Sequence, residues 1–547
     1  MSESPLFRFL VAAPFCLKGL EHSESAPLIL NGPADLDEAL SGLAPGIYFR
    51  LSDALPGGLA GREVDIRFNA LRDFKPAGLM EACPLLADLV SARKLLAEAG
   101  HQGLRPGDIK RQIRQRWPWI ELSWPDEGEG DMSGAAGTGS KGQADVSSLV
   151  SSILDQVAIP DEGPGEASKA EGRDRPAALP PQTDQLDGLI RSVMSEIFSN
   201  SAFRQLEESW RGLFFLLKAW DFCEEVEFQL FCLDRQECDR SLDLLIEKSL
   251  GYLPQFIVFD LQLGASPLHF SLLERMAGLC EMVLAPGFTG ISPAFFHLDS
   301  WHDLDNLSYI PNYLDSQQYA KWKALRSSPA SRWLGACCNR FILRLPYGAL
   351  NPARPIPFSE PEPLWGNPVW AVGALLGRSV ELSGWPANFG DWGRVYLEDV
   401  AVMDDGSGRM LAVESLFRHE RLEQLMKAGL MALSSPVNQD VLFVAGERAI
   451  SGDSLAYSLM IGLVSHFLME FKQRYRAEEI GGRQELSRLL LTDLVKWWEQ
   501  HGTPAPDDVS VDVKEGEGKG FHVKLVIRPQ ASVIMSRPDI ILEFDLS

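Results

Sequence analysis

The sequence predicts an α/β (α+β) fold in two folded parts joined by an acidic linker. Three observations carry that reading. Short apolar runs, some alternating and some continuous, recur between longer segments with helical periodicity. At 547 residues the chain exceeds what one hydrophobic core sustains. Between 125 and 186 the composition shifts to Gly, Pro, Ser, Ala and acid, with 12 Asp/Glu against 4 Lys/Arg. That mixture cannot bury enough apolar surface to offset chain entropy. The expected organisation is therefore a first part over 1–124, a disordered linker over 125–186 and a second part over 187–547.

In the first part, Leu6 to Phe15 reads as a strand, as do Ile47 to Leu51 and Glu63 to Phe68. The last alternates Val64, Ile66 and Phe68 on one face. After Pro84 an apolar helical pattern runs to Gly100, read as its stop. A basic helix follows from Pro106 to Trp117, whose charges read as a solvated exterior rather than an acid-binding face.

The linker contains one amphipathic helix, 146–158. Val146, Leu149, Val150, Ile153, Leu154 and Val157 recur at steps of 3, 1, 3, 1 and 3 and share one helical face. A helix this short is marginal in water, so a partner is expected to read its stripe; the alternative is that it packs on its own body.

The second part opens with helices over Gln185–Phe198 and Ala202–Trp220, the latter with Leu206, Trp210, Leu213, Phe214 and Leu217 as its buried stripe. Strands are expected at Phe228–Leu233, Pro254–Leu261 and Phe341–Leu345, and helices at Ser266–Leu284, Val369–Leu382, Leu455–Tyr475 and Gln484–Gln500. The runs VSVDVKE, FHVKLVIRP and IILEFDL, the first two separated by the turn GEGKG, predict an antiparallel terminal sheet.

A formal charge of −24 argues against nucleic acid or anionic membrane as the main partner, because phosphate recognition needs a basic surface. No basic n-region precedes a long apolar run at the start, and no stretch of 18 uncharged apolar residues occurs. Eight cysteines show no metal or disulfide framework. A reduced cytoplasmic protein is the simplest expectation.

Motifs for phosphate loops, nucleophile elbows and zinc proteases are absent. The cluster His297, Asp299, His302 and Asp303 offers donors for a divalent metal, and with it a metal-dependent enzyme. Asp299 or Ser300 capping a helix before Trp301 is the preferred reading, since no spacing identifies a distant fourth ligand. Arg332, Arg340 and Arg344 near Tyr347 resemble an anion clamp, but pairing with acids is the preferred reading. No cofactor is expected.

Other runs carry more information. Phe203 to Leu217 (FRQLEESWRGLFFLL) resembles the Glu-x-Ser-Trp-Arg-Gly-Leu helix of the large sheath subunit, TssC, of bacterial type VI secretion systems. Tyr319 to Gly348, then Leu364-Trp365-Gly366-Asn367 and Gly384-Trp385, are similar to that family's next landmarks in order. In the first part Phe68, Asp73, Phe74, Pro76, Leu86, Leu89, Val90 and Arg93 resemble the pattern of the small subunit, TssB. The chain is thus similar to a natural fusion of both subunits.

The resemblance implies a structural, non-enzymatic protein that assembles with other sheath protomers around the Hcp tube on a baseplate and contracts to propel the tube. It implies a ClpV-type ATPase as a partner, gripping the linker helix through Val146, Leu149, Val150, Ile153, Leu154 and Val157. It also implies an inter-subunit role for the terminal strand Ile540, Ile541, Leu542, Glu543, Phe544, Asp545 and Leu546. The extended strand that begins known small subunits has no counterpart before Leu6, and the family's glycine-rich segment is replaced by LPQFIVFDLQLGASP. A sheath-like accessory that binds sheath, baseplate or tube without propagating a lattice is therefore the alternative.

Overall fold

The structure is a computed structural model that describes residues 5–16, 28–102, 106–124, 181–234, 236–249, 253–501, 505–515, 520–534 and 539–546. The linker helix at 146–158 lies outside these residues, as do 516–519 of the GEGKG turn. The first elements are β1 (Phe7–Ala13), β2 (Leu28–Leu30), α1 (Leu36–Leu43), β3 (Gly46–Arg50), β4 (Glu63–Arg67) and α2 (Pro76–Ala82). Next come α3 (Pro84–Gln102), α4 (Pro106–Arg116), α5 (Pro181–Ser199), α6 (Ser201–Ala219), β5 (Val226–Cys232), α7 (Cys238–Ser249) and β6 (Phe256–Leu263).

The chain continues through α8 (Pro267–Met282), β7 (Gly287–Ile291), α9 (Ile310–Leu314), α10 (Ala320–Arg326), β8 (Leu334–Cys338), β9 (Phe341–Arg344), β10 (Leu364–Gly366) and α11 (Pro368–Ser383). It closes with β11 (Met403–Asp404), β12 (Met410–Leu411), α12 (His419–Lys427), β13 (Leu430–Ser434), β14 (Phe443–Val444), α13 (Leu455–Arg474), α14 (Arg483–Gln500), β15 (Asp508–Glu515), β16 (Phe521–Arg528) and β17 (Ile540–Leu546). Contacts divide the chain into two compact units, Met1–Val90 with Leu189–Ser547, and Ser91–Gly188.

The larger unit is built on an eight-stranded mixed sheet in the order β14-β13-β8-β7-β6-β1-β5-β2. Its inner pairings are parallel, while β14 and β2 run antiparallel at the two edges. β1 lies between β6 and β5, pairing Phe9 with both Phe256 and Phe228. Its sequence FRFLVAA is almost continuously apolar because a parallel strand covered on both faces has no solvent side. The Phe9 ring stacks on Phe228 at 4.9 Å and sits 4.6 Å from Phe256. The expected boundaries at 124 and 187 thus separate stretches of sequence, while the sheet itself crosses them: strands from the first part bracket β5 on both sides.

A second core holds the terminal sheet β15-β16-β17 against α13 and α14. α14 presents Leu486, Leu490, Leu494 and Trp498, each four residues apart, to Val523, Leu525 and Ile527 of β16. His501 follows α14 and lies flat on Trp385, with ring centroids 4.0 Å apart, and edge-on to Phe7 of β1 at 5.7 Å. Its Nδ1 lies 3.0 Å from the Trp497 carbonyl.

Burial lowers the His501 pKa from 6.5 to about 4, against the smaller opposing effect of that hydrogen bond. The folded form therefore resists a proton that the unfolded chain accepts, so the stability is complete above pH 6.5 and lost as pH falls towards 4. The loss at the acid end is roughly 3 kcal/mol, since each tenfold change in proton affinity is worth about 1.4 kcal/mol. Urea midpoints measured from pH 7 to pH 4.5 should fall more steeply for the native chain than for His501→Asn. Equal slopes would refute the assignment.

In the smaller unit, α4 buries Ile109 and Ile113, with Trp117 buried just beyond its end, and exposes Arg111, Arg114 and Arg116, the solvated basic face expected. The Ser123 amide donates to Gln185 Oε1 at 2.9 Å, and Gln182 Nε2 donates to the Ser123 carbonyl at 3.2 Å. The chain therefore leaves for the linker and returns from it at one place.

Two local expectations need correction. Phe214 is exposed rather than part of the α6 stripe, because it lies one residue past Leu213 and rotates off the face that Leu206, Trp210, Leu213 and Leu217 share. Gly100 does not end α3, which continues to Gln102; a helical glycine costs about 1 kcal/mol, less than the rest of a well-packed helix supplies.

Candidate functional site: a buried charge junction and an open-edged terminal sheet

The residues that carry the resemblance converge. Asn200 caps α6, its side chain accepting from the amides of Ala202 and Phe203. Two turns on, Glu207, Glu208, Ser209, Trp210, Arg211 and Gly212 point in different directions, and each meets a defined partner.

Glu207 is fully buried and takes the fork of Arg344, with Nε to Oε1 at 2.8 Å and Nη2 to Oε2 at 3.1 Å. Arg211 adds a third donor at 2.7 Å. The other side of Arg344 grips Glu360 at 2.6 and 3.0 Å, and Arg204 approaches Glu360 at 3.6 Å. Arg344 also covers the Tyr347 ring at 4.6 Å. Burial alone would raise the Glu207 pKa, but the charges of Arg211 and Arg344 outweigh it and hold the carboxyl below its usual range. Burial likewise works against the Arg344 charge, and Glu207 and Glu360 reverse it upward.

Beside this junction two further carboxylates are held by neutral donors. Glu208 accepts from Asn367 N at 2.8 Å and Trp370 Nε1 at 3.0 Å. Asp260 accepts from Ser209 Oγ at 2.7 Å and from Asn367 Nδ2 at 3.0 Å. Trp210 Nε1 donates to the Phe15 carbonyl at 3.0 Å, which fastens α6 to the end of β1. A Cβ on Gly212 would stand 2.3 Å from Trp370 Nε1, so only glycine lets α6 and α11 cross this closely. Together these contacts tie α6 to β1, β6, β9, β10 and α11.

Two arginines of the cluster pair with acids, as the sequence favoured: Arg344 as above, and Arg340 by forking onto Glu414 at 2.6 and 2.9 Å. At the histidine cluster, Ser300 caps the turn starting at Trp301 and its Oγ accepts from the His302 amide at 3.2 Å. Among the described residues no group of three or more His, Cys, Asp or Glu is placed to hold a metal ion.

The terminal strand is fully placed. β17 pairs antiparallel with β16 from Ile540↔Ile527 to Leu546↔Phe521. Ile540, Leu542, Phe544 and Leu546 face the core; Ile541, Glu543 and Asp545 face outward. Outward pairs zip the strands together: Lys524–Glu543 at 2.9 Å, His522–Asp545 at 2.8 Å and Arg528–Asp539 at 2.8 Å. No described strand pairs with the outer edge of β17 or of β15. Ile540 and Leu546 at the ends of β17 are buried, but Leu542 and Phe544 between them are only half-buried, as are Val509, Val511 and Val513 on the β15 edge. An unpaired edge with a half-covered apolar strip is a template for another strand.

Comparison with known proteins finds two families along the chain. Residues 182–451 match VipB, described as EvpB/VC_A0108, tail sheath N-terminal domain. Residues 29–115 match the type VI secretion system family VipA, VC_A0107 or Hcp2. The type VI secretion system sheath protein TssC1 of Pseudomonas aeruginosa is 25% identical over 297 residues, which are 48% of this chain and 60% of TssC1. The chain thus spans about 60% of that curated relative's length.

Among solved structures, a sheath tail protein from Desulfitobacterium hafniense aligns with a TM-score of 0.32 and 8% identity over 56% of this chain and 60% of that one. A chain of the anti-feeding prophage baseplate aligns at 0.33 and 9% identity over 61% and 76%. With the VipA match preceding the VipB match in one polypeptide, the chain belongs to the type VI secretion sheath proteins, as a fusion of the small-subunit and large-subunit types.

Proposed function

We propose that this chain is a building block of a cytoplasmic contractile sheath, assembling with further protomers around an Hcp tube on a baseplate and contracting to propel the tube. One observation carries the reading: both sheath families occur in one chain, and strands preceding and opening the VipA-type stretch bracket β5 of the VipB-type stretch in a single sheet. Such a sheet holds the two types in a one-to-one ratio. The role needs no catalysis and no cofactor. Among the described residues no helix is long and apolar enough to cross a membrane.

The assignment predicts long hollow tubes in electron micrographs of the purified protein. Discrete particles alone would overturn it in favour of an accessory that binds sheath, baseplate or tube.

The division into 1–124, 125–186 and 187–547 fits this role as two sheath stretches around a junction. The junction helix is the handle by which a ClpV-type ATPase dismantles the assembly, its apolar stripe Val146, Leu149, Val150, Ile153, Leu154 and Val157 seated in a groove. A Leu149→Asp, Ile153→Asp chain should lose ATPase binding in a pull-down while its thermal unfolding is unchanged. Retained binding would remove the handle from the account.

A further inference from the structure

All eight cysteines are free thiols, and two of them meet. β1 runs parallel to β5 with Ala13 opposite Cys232. Beyond Ala13 the chain bends over the end of β5: the Ala13 carbonyl accepts from both the Phe15 amide and the Leu233 amide at 2.8 Å. Phe15 is then fixed by its ring contact with Trp210 and by the indole hydrogen bond to its carbonyl. Cys16 is thereby set beside Cys232, thiol hydrogen-bonded to thiol, with each residue 5% exposed. Strand register and an anchored turn together hold this pair in place.

We infer that Cys16 and Cys232 are a latent disulfide site, closed by a peroxide, that fastens the N-terminal strand covalently to β5. The Cys16 sulfur attacks one oxygen of hydrogen peroxide, the O–O bond breaks, the Cys16 thiol proton passes to the departing hydroxide, and Cys16 sulfenic acid and water result. Cys232 then attacks the Cys16 sulfur, the S–O bond breaks, and the hydroxyl leaves as a second water with the Cys232 proton. Two thiols are oxidised by two electrons, and the peroxide is reduced to two waters.

The order of attack follows from the contact. The hydrogen bond to Cys16, followed by burial, holds Cys232 protonated well above the usual thiol range. Cys232 therefore keeps its proton until the second step, and Cys16 makes the first attack. Burial of both makes the reaction slow, and peroxide is small enough to reach a site that larger reagents do not. The resting protein is reduced, and β1 is held by its hydrogen bonds and packing. The oxidised protein cannot release β1 from β5.

The test is peptide mapping of the full chain after hydrogen peroxide treatment, alkylation and digestion without reductant. The expected result is one linked peptide pair, Cys16 with Cys232, in a protein that stays unlinked to other copies. Free thiols should fall from eight to six. The site is refuted if both residues remain alkylatable after prolonged treatment, or are oxidised separately without a link. In Cys232→Ser the linked pair should vanish, and Cys16 should react with a sulfenic-acid trap added as the peroxide-treated chain is unfolded. An untrapped Cys16 in that variant, with circular dichroism unchanged, would overturn it as well.

Discussion

Replacing Arg344 with methionine should cost about 3–5 kcal/mol of stability, the usual penalty for removing one partner of a buried ion pair. The residue joins Glu207 on α6 to Glu360 beyond β9, and its side chain is almost wholly out of water. Without it Glu207 keeps only Arg211, and Glu360 keeps only the longer contact with Arg204 and the Tyr347 amide at 2.8 Å. Two carboxylates would then be buried with too little positive charge, while methionine fills most of the space. The penalty is one of imbalance rather than lost volume. A chain carrying Arg344→Met with Glu207→Gln and Glu360→Gln should therefore recover much of the loss, and comparing the two denaturation midpoints separates the causes. If the triple variant is as unstable as the single one, the junction matters for packing and not for charge.

That junction shows what the sequence disclosed and what it concealed. The motif residues were legible as a resemblance, but their purpose was not, since Glu207 and Arg344 lie 137 residues apart and no periodicity links them. Amphipathic helices such as α6 and α14 were legible because one face meets a core and the other meets water. The terminal sheet was legible for the corresponding reason, with alternation marking its two faces.

Three inner strands, β7, β8 and β13, left no such mark: GFTGI, LGACC and LMALS are buried on both faces and rich in small residues. The small residues are there for close approach. A Cβ on Gly290 would meet Asn367 Oδ1 at 2.4 Å, and one on Gly335 would meet Met431 Cε at 2.6 Å. Strand propensity in such positions yields to packing against neighbours. The place of β1 was hidden too, because its partners in the sheet come from beyond residue 225.

The other large effect concerns assembly. Leu542→Lys is expected to abolish tube formation while leaving a folded protomer. Leu542 lies on β17 and points to the core side, where the edge leaves it half-buried. Its partner Leu525 on β16 is fully buried, so the apolar strip runs outward from the core to the edge and stops there. A strand added to β17 would continue that strip and cover Leu542.

A lysine at this position can bend its ammonium to water in the free protomer, at a cost of about 1–2 kcal/mol on an edge strand. An added strand would trap the charge between two apolar rows. Natural edge strands use inward-pointing charge to refuse such pairing. Ile541→Lys is the matched control, because Ile541 is 52% exposed on the outward face, among the charged pairs. It should assemble normally, since the outward rows already alternate Lys524 with Glu543 and His522 with Asp545. Electron microscopy of the two variants decides between strand addition and a lattice held by other surfaces. Tubes from Leu542→Lys would show that β17 serves its own sheet alone.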